Sequence, residues 1–254
     1  MNLRSLNRWK AAAIHLGLSA LIAATVVTVM LLVWYPPPYF DAMGGQGLLK
    51  ILVGVDVTLG PLLTLIIFDP KKKSLRLDLS IIAALQIAAL AYGVWVMFEA
   101  RPVYTVFAID RFDIVSANQL EPEDLDAGPP EYRELPLAGP RVLALRPPDR
   151  EKYPDEWNKF VFSSTGGKDA TQIPKYYVPY ADVAAEALKE AKPLADLVKA
   201  KPEAKAKVQE FVTRIGRAES ELVYLPFVGR GDPMTAVLDA RDARIVGYLP
   251  IDPY

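Results

Sequence analysis

The sequence predicts a membrane protein with three transmembrane α-helices and a cytoplasmic N-terminus, followed by a small α+β domain on the outer side. Three observations carry this prediction. Apolar runs of spanning length occupy residues 11–34, 48–68 and 79–98. The two basic flanks, before the first run and between the second and third, fall on the same side of the membrane. From residue 100 to residue 254 the chain changes to the mixed strand and helix patterns of a soluble domain. The 254 residues are 52% hydrophobic, little above an ordinary soluble protein, so the distribution of apolar residues carries the information.

The first run, AAAIHLGLSALIAATVVTVMLLVW, has no formal charge. At about 1.5 Å per residue it crosses a hydrocarbon core of roughly 30 Å. It exceeds the roughly 7–15 residues of a signal-peptide core. It ends in Trp34-Tyr35-Pro36-Pro37-Pro38 rather than in small residues, which reads as a retained anchor with an interfacial aromatic belt. The second run, LLKILVGVDVTLGPLLTLIIF, is interrupted by Lys50 and Asp56, and the third, LSIIAALQIAALAYGVWVMF, is uncharged. Core helices of soluble proteins carry a polar stripe, and these runs have almost none. Arg4, Arg8 and Lys10 precede the first run, and Lys71, Lys72, Lys73 and Arg76 lie between the second and third. The loop YPPPYFDAMGGQG between the first two has neither Lys nor Arg. The positive-inside rule places the N-terminus and the Lys71–Arg76 loop in the cytoplasm and everything after Glu99 outside.

The domain boundary therefore falls between residues 1–99 and 100–254. The first part has a net charge of +3 and the second −4, which together make the −1 of the whole chain. In the second part, Val103–Ile109 and Phe112–Ser116 read as strands that pair or run on. Residues 121–140 read as a short acidic helix with loops, and Arg141–Leu145 as a strand. Residues 147–180 are polar and broken by proline, with Trp157, Phe160 and Phe162 as expected anchors. Ala181–Ala200 reads as a helix that Pro193 kinks or splits. Pro202–Arg217 reads as a helix with Pro202 in its first turn and Gly216 near its end. Leu222–Val228 is a strand, and Thr235–Ala240 with Arg244–Pro250 a hairpin.

Composition excludes much chemistry. There is no cysteine and one histidine, His15, so disulfides, cysteine nucleophiles and Cys/His zinc sites are out of reach. No metal ligand set and no cofactor is expected. A net charge near zero argues against nucleic acid as a partner. Asp56, near the middle of the second run, costs roughly 2.5–3.5 kcal/mol to bury in lipid. It is either functional or held by Ser19, Thr25, Thr28 or Gln86. Intramembrane aspartyl proteases need two aspartates and Gly-x-Gly-Asp, and Val53-Gly54-Val55-Asp56 does not match that run. Gly60-Pro61 predicts a kink. His15 reads as a hydrogen-bonded helix contact. Ser163–Lys168 resembles a phosphate loop only superficially, because Asp169 follows the lysine. A Ser–Lys pair from Ser163 or Ser164 with Lys168 or Lys175 has no supporting motif.

Several motifs occur together: Arg8-Trp9-Lys10, Val33-Trp34-Tyr35-Pro36-Pro37-Pro38, Gly54-Val55-Asp56-Val57, Leu59-Gly60-Pro61-Leu62, Arg101-Pro102 and Phe107-Ala108-Ile109-Asp110-Arg111-Phe112. With them the chain resembles the TfpX/TfpZ family of type IV pilin accessory proteins along its full length. The resemblance implies a bacterial inner-membrane, multi-pass protein with a periplasmic C-terminal domain. It implies a non-enzymatic role in pilus assembly, with the major type IV pilin as partner, alongside membrane lipid and other pilus assembly proteins. Asp56, Gly54, Gly60, Pro61, Arg101 and Arg111 are the partner-contact candidates, because they lie in the matching motifs. The small residues Gly54 and Gly60 suit close helix approach. The alternative is a membrane enzyme or sensor acting on pilin through Asp56.

Overall fold

The structure, a computed structural model, describes residues 6–163 and 167–254, without the side chains at positions 48, 51–53, 55 and 56. Arg4 and Ser164 thus lie outside the described residues, and so does the side chain of Asp56. The chain forms two compact units. One comprises residues 1–36 and 45–100, the other residues 37–44 and 101–254.

The first unit is helical. Helix α1 (Arg8–Val29) starts at Asn7, whose side chain accepts the Lys10 N–H at 2.8 Å. It continues as a π-wound turn over Met30–Trp34. After the 37–44 segment come α3 (Gly45–Gly54), a π-wound turn over Val55–Leu59, and α4 (Gly60–Ile67), with no break between them. Helix α5 covers Leu75–Glu99. Two helices, Arg8–Trp34 and Leu75–Glu99, are long and apolar enough to cross a membrane. Many of their Leu and Ile side chains, among them Leu18, Leu21, Leu32, Leu85 and Ile87, are exposed, while Leu75 and Ile82 are buried. Such apolar surface suits lipid and would aggregate in water. Helix α4 packs against both α1 and α5. Tyr35 donates its hydroxyl to the Met97 carbonyl at 2.8 Å, and the Trp34 and Phe98 rings meet edge to face at 5.3 Å.

The second unit is a mixed sheet with helices. Its strands are β1 (Pro102–Ala108), β2 (Arg111–Ser116), β3 (Arg141–Leu145), β4 (Tyr177–Pro179), β5 (Lys192–Pro193), β6 (Leu222–Val228), β7 (Met234–Asp239) and β8 (Ile245–Leu249). They are ordered β4-β3-β1-β2-β6-β7-β8, and β5 also pairs with β6. β1 and β2 form an antiparallel hairpin, as their β-branched and aromatic content predicts. β1 runs parallel to β3 and β2 parallel to β6. Every residue of β1 is buried, as expected of a central strand covered on both faces. β2 pairs with the Phe227 end of β6, and β5 with its Tyr224 end.

On one face, Leu194 and Leu197 of α9 (Leu194–Ala200) and Val208 and Phe211 of α10 (Lys205–Ile215) pack on Leu222, Tyr224, Val237 and Leu249. α10 stops at Gly216, whose φ of +66° closes the helix in the left-handed conformation. The opposite face is aromatic: Phe107 with Phe112, Phe112 with Tyr180, and Phe227 with Tyr248 at 4.6 Å. The span Ala181–Ala200 is not one helix. It divides into α8 (Ala184–Glu190), strand β5 and α9. Pro193 has no N–H to donate and its backbone is extended (φ −56°, ψ 137°), so it serves as the end of a short edge strand. Residues 147–180 hold α7 (Pro154–Val161), 3-10 turns and β4. Trp157 and Phe160 are partly buried there, but Phe162 is 64% exposed and is not an anchor among the described residues.

Candidate functional site

Within the helical unit the polar and small residues form a seam. The chain winds as a π-helix over Val55–Leu59 immediately before Gly60-Pro61. Pro61 lacks the N–H that would bond the carbonyl four residues back, which favours such local rewinding. Gly60 and Pro61 are buried. A Cβ on Gly60 would sit 2.0 Å from Gln86 Nε2, so glycine here lets the Gln86 side chain lie against the helix. Gly54 is exposed with no atom near its missing Cβ. It leaves an open notch rather than a contact within the chain. His15 Nδ1 and Thr64 Oγ1 are hydrogen-bonded at 2.6 Å and join α1 to α4. Thr25 and Thr28 donate to the carbonyls of Leu21 and Ala24 on their own helix, so their hydroxyl protons are already engaged.

In the sheet unit, the segment between the first two apolar runs behaves as part of the soluble fold. Its short helix α2 (Tyr39–Ala42) brings Tyr39 onto the aromatic sheet face. The Tyr39 hydroxyl lies 2.9 Å from Thr105 Oγ1 and 3.4 Å from the Tyr248 hydroxyl, and its ring meets Phe227 edge to face. Burial pushes the Tyr39 phenol above its ordinary pKa, against the lowering effect of both hydroxyl partners. The Gly231 N–H donates to the Ala42 carbonyl at 2.8 Å. A Cβ on Gly229 would come within 2.2 Å of that same carbonyl oxygen. Sequence reading misses this docking, and the one local hint is the pair of glycines at 229 and 231.

Arg101 and Arg111 have different surroundings. Arg101 is 5% exposed, its Nε directed at the Pro136 carbonyl at 3.4 Å, and its own carbonyl accepts the Ala117 N–H. It holds the base of β1 in place. Arg111 is half-exposed and pairs through Nε with both carboxylate oxygens of Asp113 at 2.9 and 3.0 Å. Burial raises the Asp113 pKa, Asp169 and Asp110 raise it further, and Arg111 opposes them. This pair lines a cavity of about 660 Å³ between the β1–β2 end of the sheet and α7, with Phe107, Leu145, Trp157 and Phe160 in its walls. That volume is in the range of ligand pockets. The Ser–Lys alternative finds no support among the described residues. Ser163 donates to the Phe160 carbonyl, Lys168 pairs with Glu121 and Asp124, and Lys175 pairs with Glu156.

Comparison with known proteins gives a consistent result. A family model described as fimbrial assembly protein FimB matches residues 3–44, the first apolar run and the docked segment after it. The fimbrial assembly protein of serogroup I from Dichelobacter nodosus is 32% identical over 248 residues, covering 96% of this chain and 95% of the relative. The serogroup E1 protein of the same organism is 32% identical over 250 residues with the same coverage. The protein of serogroups C1 and C2 is 38% identical over 118 residues, 46% of this chain and 90% of the relative. No solved structure matches the chain.

Proposed function

The chain belongs to the family of fimbrial assembly proteins, and from that premise we propose that it is a non-enzymatic accessory protein of type IV pilus biogenesis. In this reading it sits in the bacterial inner membrane, binds the pilin subunit and modulates its stability, assembly or surface level. The observation that carries the reading is the full-length likeness to fimbrial assembly proteins. The exposed apolar faces of α1 and α5 favour a membrane setting. The π-wound turn before Gly60-Pro61, with Asp56 in it and Gly54 open beside it, is the proposed contact for a partner helix.

A three-span arrangement with the sheet unit in the periplasm belongs to the same proposal. Residues 37–44 and 101–254 form one compact unit, which supports placing them on one side of the bilayer. A chain that crosses in α1 and again in α5 then needs a third crossing between Gly44 and Leu75. The continuous helical stretch Gly45–Ile67 is about 35 Å long at ~1.5 Å per residue, enough for it. The chain has no cysteine, so single cysteines at Asp41, Lys72 and Glu123 test the arrangement directly. A membrane-impermeant maleimide should label positions 41 and 123 in intact inner membranes and position 72 only after lysis. Labelling of 72 together with 41 overturns the arrangement.

The function is tested by deleting the gene, counting surface pili, and co-purifying pilin with the full-length protein from detergent. Fewer surface pili and a pilin crosslink near Gly54–Pro61 are expected. A well-expressed protein that yields no pilin adduct, or a deletion that leaves piliation unchanged, overturns the proposal.

A further inference from the structure

The cavity under α7 opens at a turn whose conformation the chain itself does not explain. Ala108 and Arg111 are the last paired residues of the β1–β2 hairpin. Only Ile109 and Asp110 connect them. Two-residue hairpin turns need positive φ and select Asn or Gly there. Ile109 has φ +60° and is 80% exposed. A β-branched residue in the left-handed region is a steric outlier, and outliers of this kind concentrate at ligand clamps and switches. Among the described residues nothing covers the side chain to offset that cost.

Its surroundings indicate what does. Ile109 and Val161 both line the cavity and are exposed at its mouth, and Phe162 follows them on the surface. Trp157, Phe160 and Phe107 form the interior. A rim of exposed apolar side chains around an aromatic cavity is a pattern that recurs at interaction sites. Charge narrows the partner further. Asp113 is already neutralised by Arg111. The other charged groups of the lining are Asp169 and Glu186 against Arg146, and Asp110 sits in the turn itself. The mouth is thus net acidic and disfavours an acidic visitor.

We propose that this cavity is a docking site for a segment of a partner protein that inserts an apolar side chain past Ile109 and sets a Lys or Arg beside Asp110 and Asp169. The assignment stands apart from the pilus reading, since it depends only on the geometry of this unit.

The test places a photo-crosslinking benzoylphenylalanine at position 161 of the full-length protein in its native membrane and sequences the captured peptide. An apolar segment containing Lys or Arg is expected. The same peptide, synthesised and titrated against the purified full-length protein in detergent, should bind at least tenfold more weakly to Ile109→Gly, with unchanged circular dichroism. It should also bind tenfold more weakly when its basic residue is replaced by Glu. Val161→Ser is the second variant and should weaken binding in the same direction. Capture of lipid, of a second copy of this chain, of a segment without a basic residue, or of nothing overturns the proposal. So does equal binding by Ile109→Gly. The identity of the captured protein decides the other matter: a protein unrelated to pili leaves this assignment standing and counts against the pilus reading.

Discussion

Replacing Gly229 by alanine tests the docking of residues 37–44 at its tightest point. The added Cβ would lie 2.2 Å from the Ala42 carbonyl oxygen and 3.0 Å from its carbon. Both are backbone atoms, so no side-chain rotation relieves the overlap. Restoring ordinary contact moves the carbonyl by about 1 Å, which stretches its 2.8 Å bond from the Gly231 N–H beyond use. The lost bond costs about 0.5–1.5 kcal/mol, and overpacking adds about 1–3 kcal/mol. Together these amount to roughly 2–4 kcal/mol, since the two ranges overlap in cause. In a unit of this size each kcal/mol lowers Tm by about 2–4 °C, so Gly229→Ala should melt roughly 5–15 °C below the native protein. The assay is thermal unfolding of the full-length protein in detergent, followed by near-ultraviolet circular dichroism. Limited proteolysis should then show faster cleavage near Tyr39. A Tm within about 2 °C of native, with unaltered cleavage, would refute the placement of Ala42 against the 229 backbone.

Other substitutions test separate parts of the molecule. Gly60→Val must displace Gln86 and is expected to destabilise the helical unit by about 1–3 kcal/mol; unchanged melting in detergent would count against the contact. His15→Ala should cost about 0.6–2 kcal/mol and Thr64→Val a similar amount. The double variant should cost little more than either alone, because both remove one hydrogen bond. Asp239, buried and bonded by the side chain and backbone of Arg241 and by Arg217, is held well below the usual carboxylate pKa. Its folded pKa lies below its unfolded value of about 3.9. Its contribution is therefore complete above that value and is lost as the pH falls beneath it. The stability gap between the native protein and Asp239→Asn should narrow as urea midpoints are measured from about pH 6 down to about pH 3, and a gap independent of pH would refute the pairing.

Local pattern made much of the sheet unit legible. The β-branched run in 103–109, the proline at 202 and the glycine at 216 each act within a few residues of themselves, and each predicted its element. Pro193 was legible as a break, but not as the end of a strand, because the strand exists only through pairing with Tyr224 and Val223. Phe162 illustrates the limit of hydrophobicity as a guide to burial: its neighbours Trp157 and Phe160 line the cavity while it faces outward. Arg101 and Arg111 look alike in sequence, and only tertiary surroundings make one a buried brace and the other a cavity wall. The seating of Tyr39 was illegible, since its partners lie 66 and 209 residues further along the chain.

That last separation has a consequence for how the protein is made. A ribosome adding about 5–20 residues per second needs on the order of 10–40 s to progress from Tyr39 to Tyr248. Throughout that interval the aromatic loop is outside its eventual seat, because the sheet face that receives it is still being synthesised. The stretch of chain through Gly229, Gly231 and Tyr248 is what admits the loop. A chain that stops short of Tyr248 can form its helices and its first hairpin, yet it leaves Tyr39 unclaimed and open to proteases. Seating of Tyr39 thus reports that the chain has been made at least as far as Tyr248.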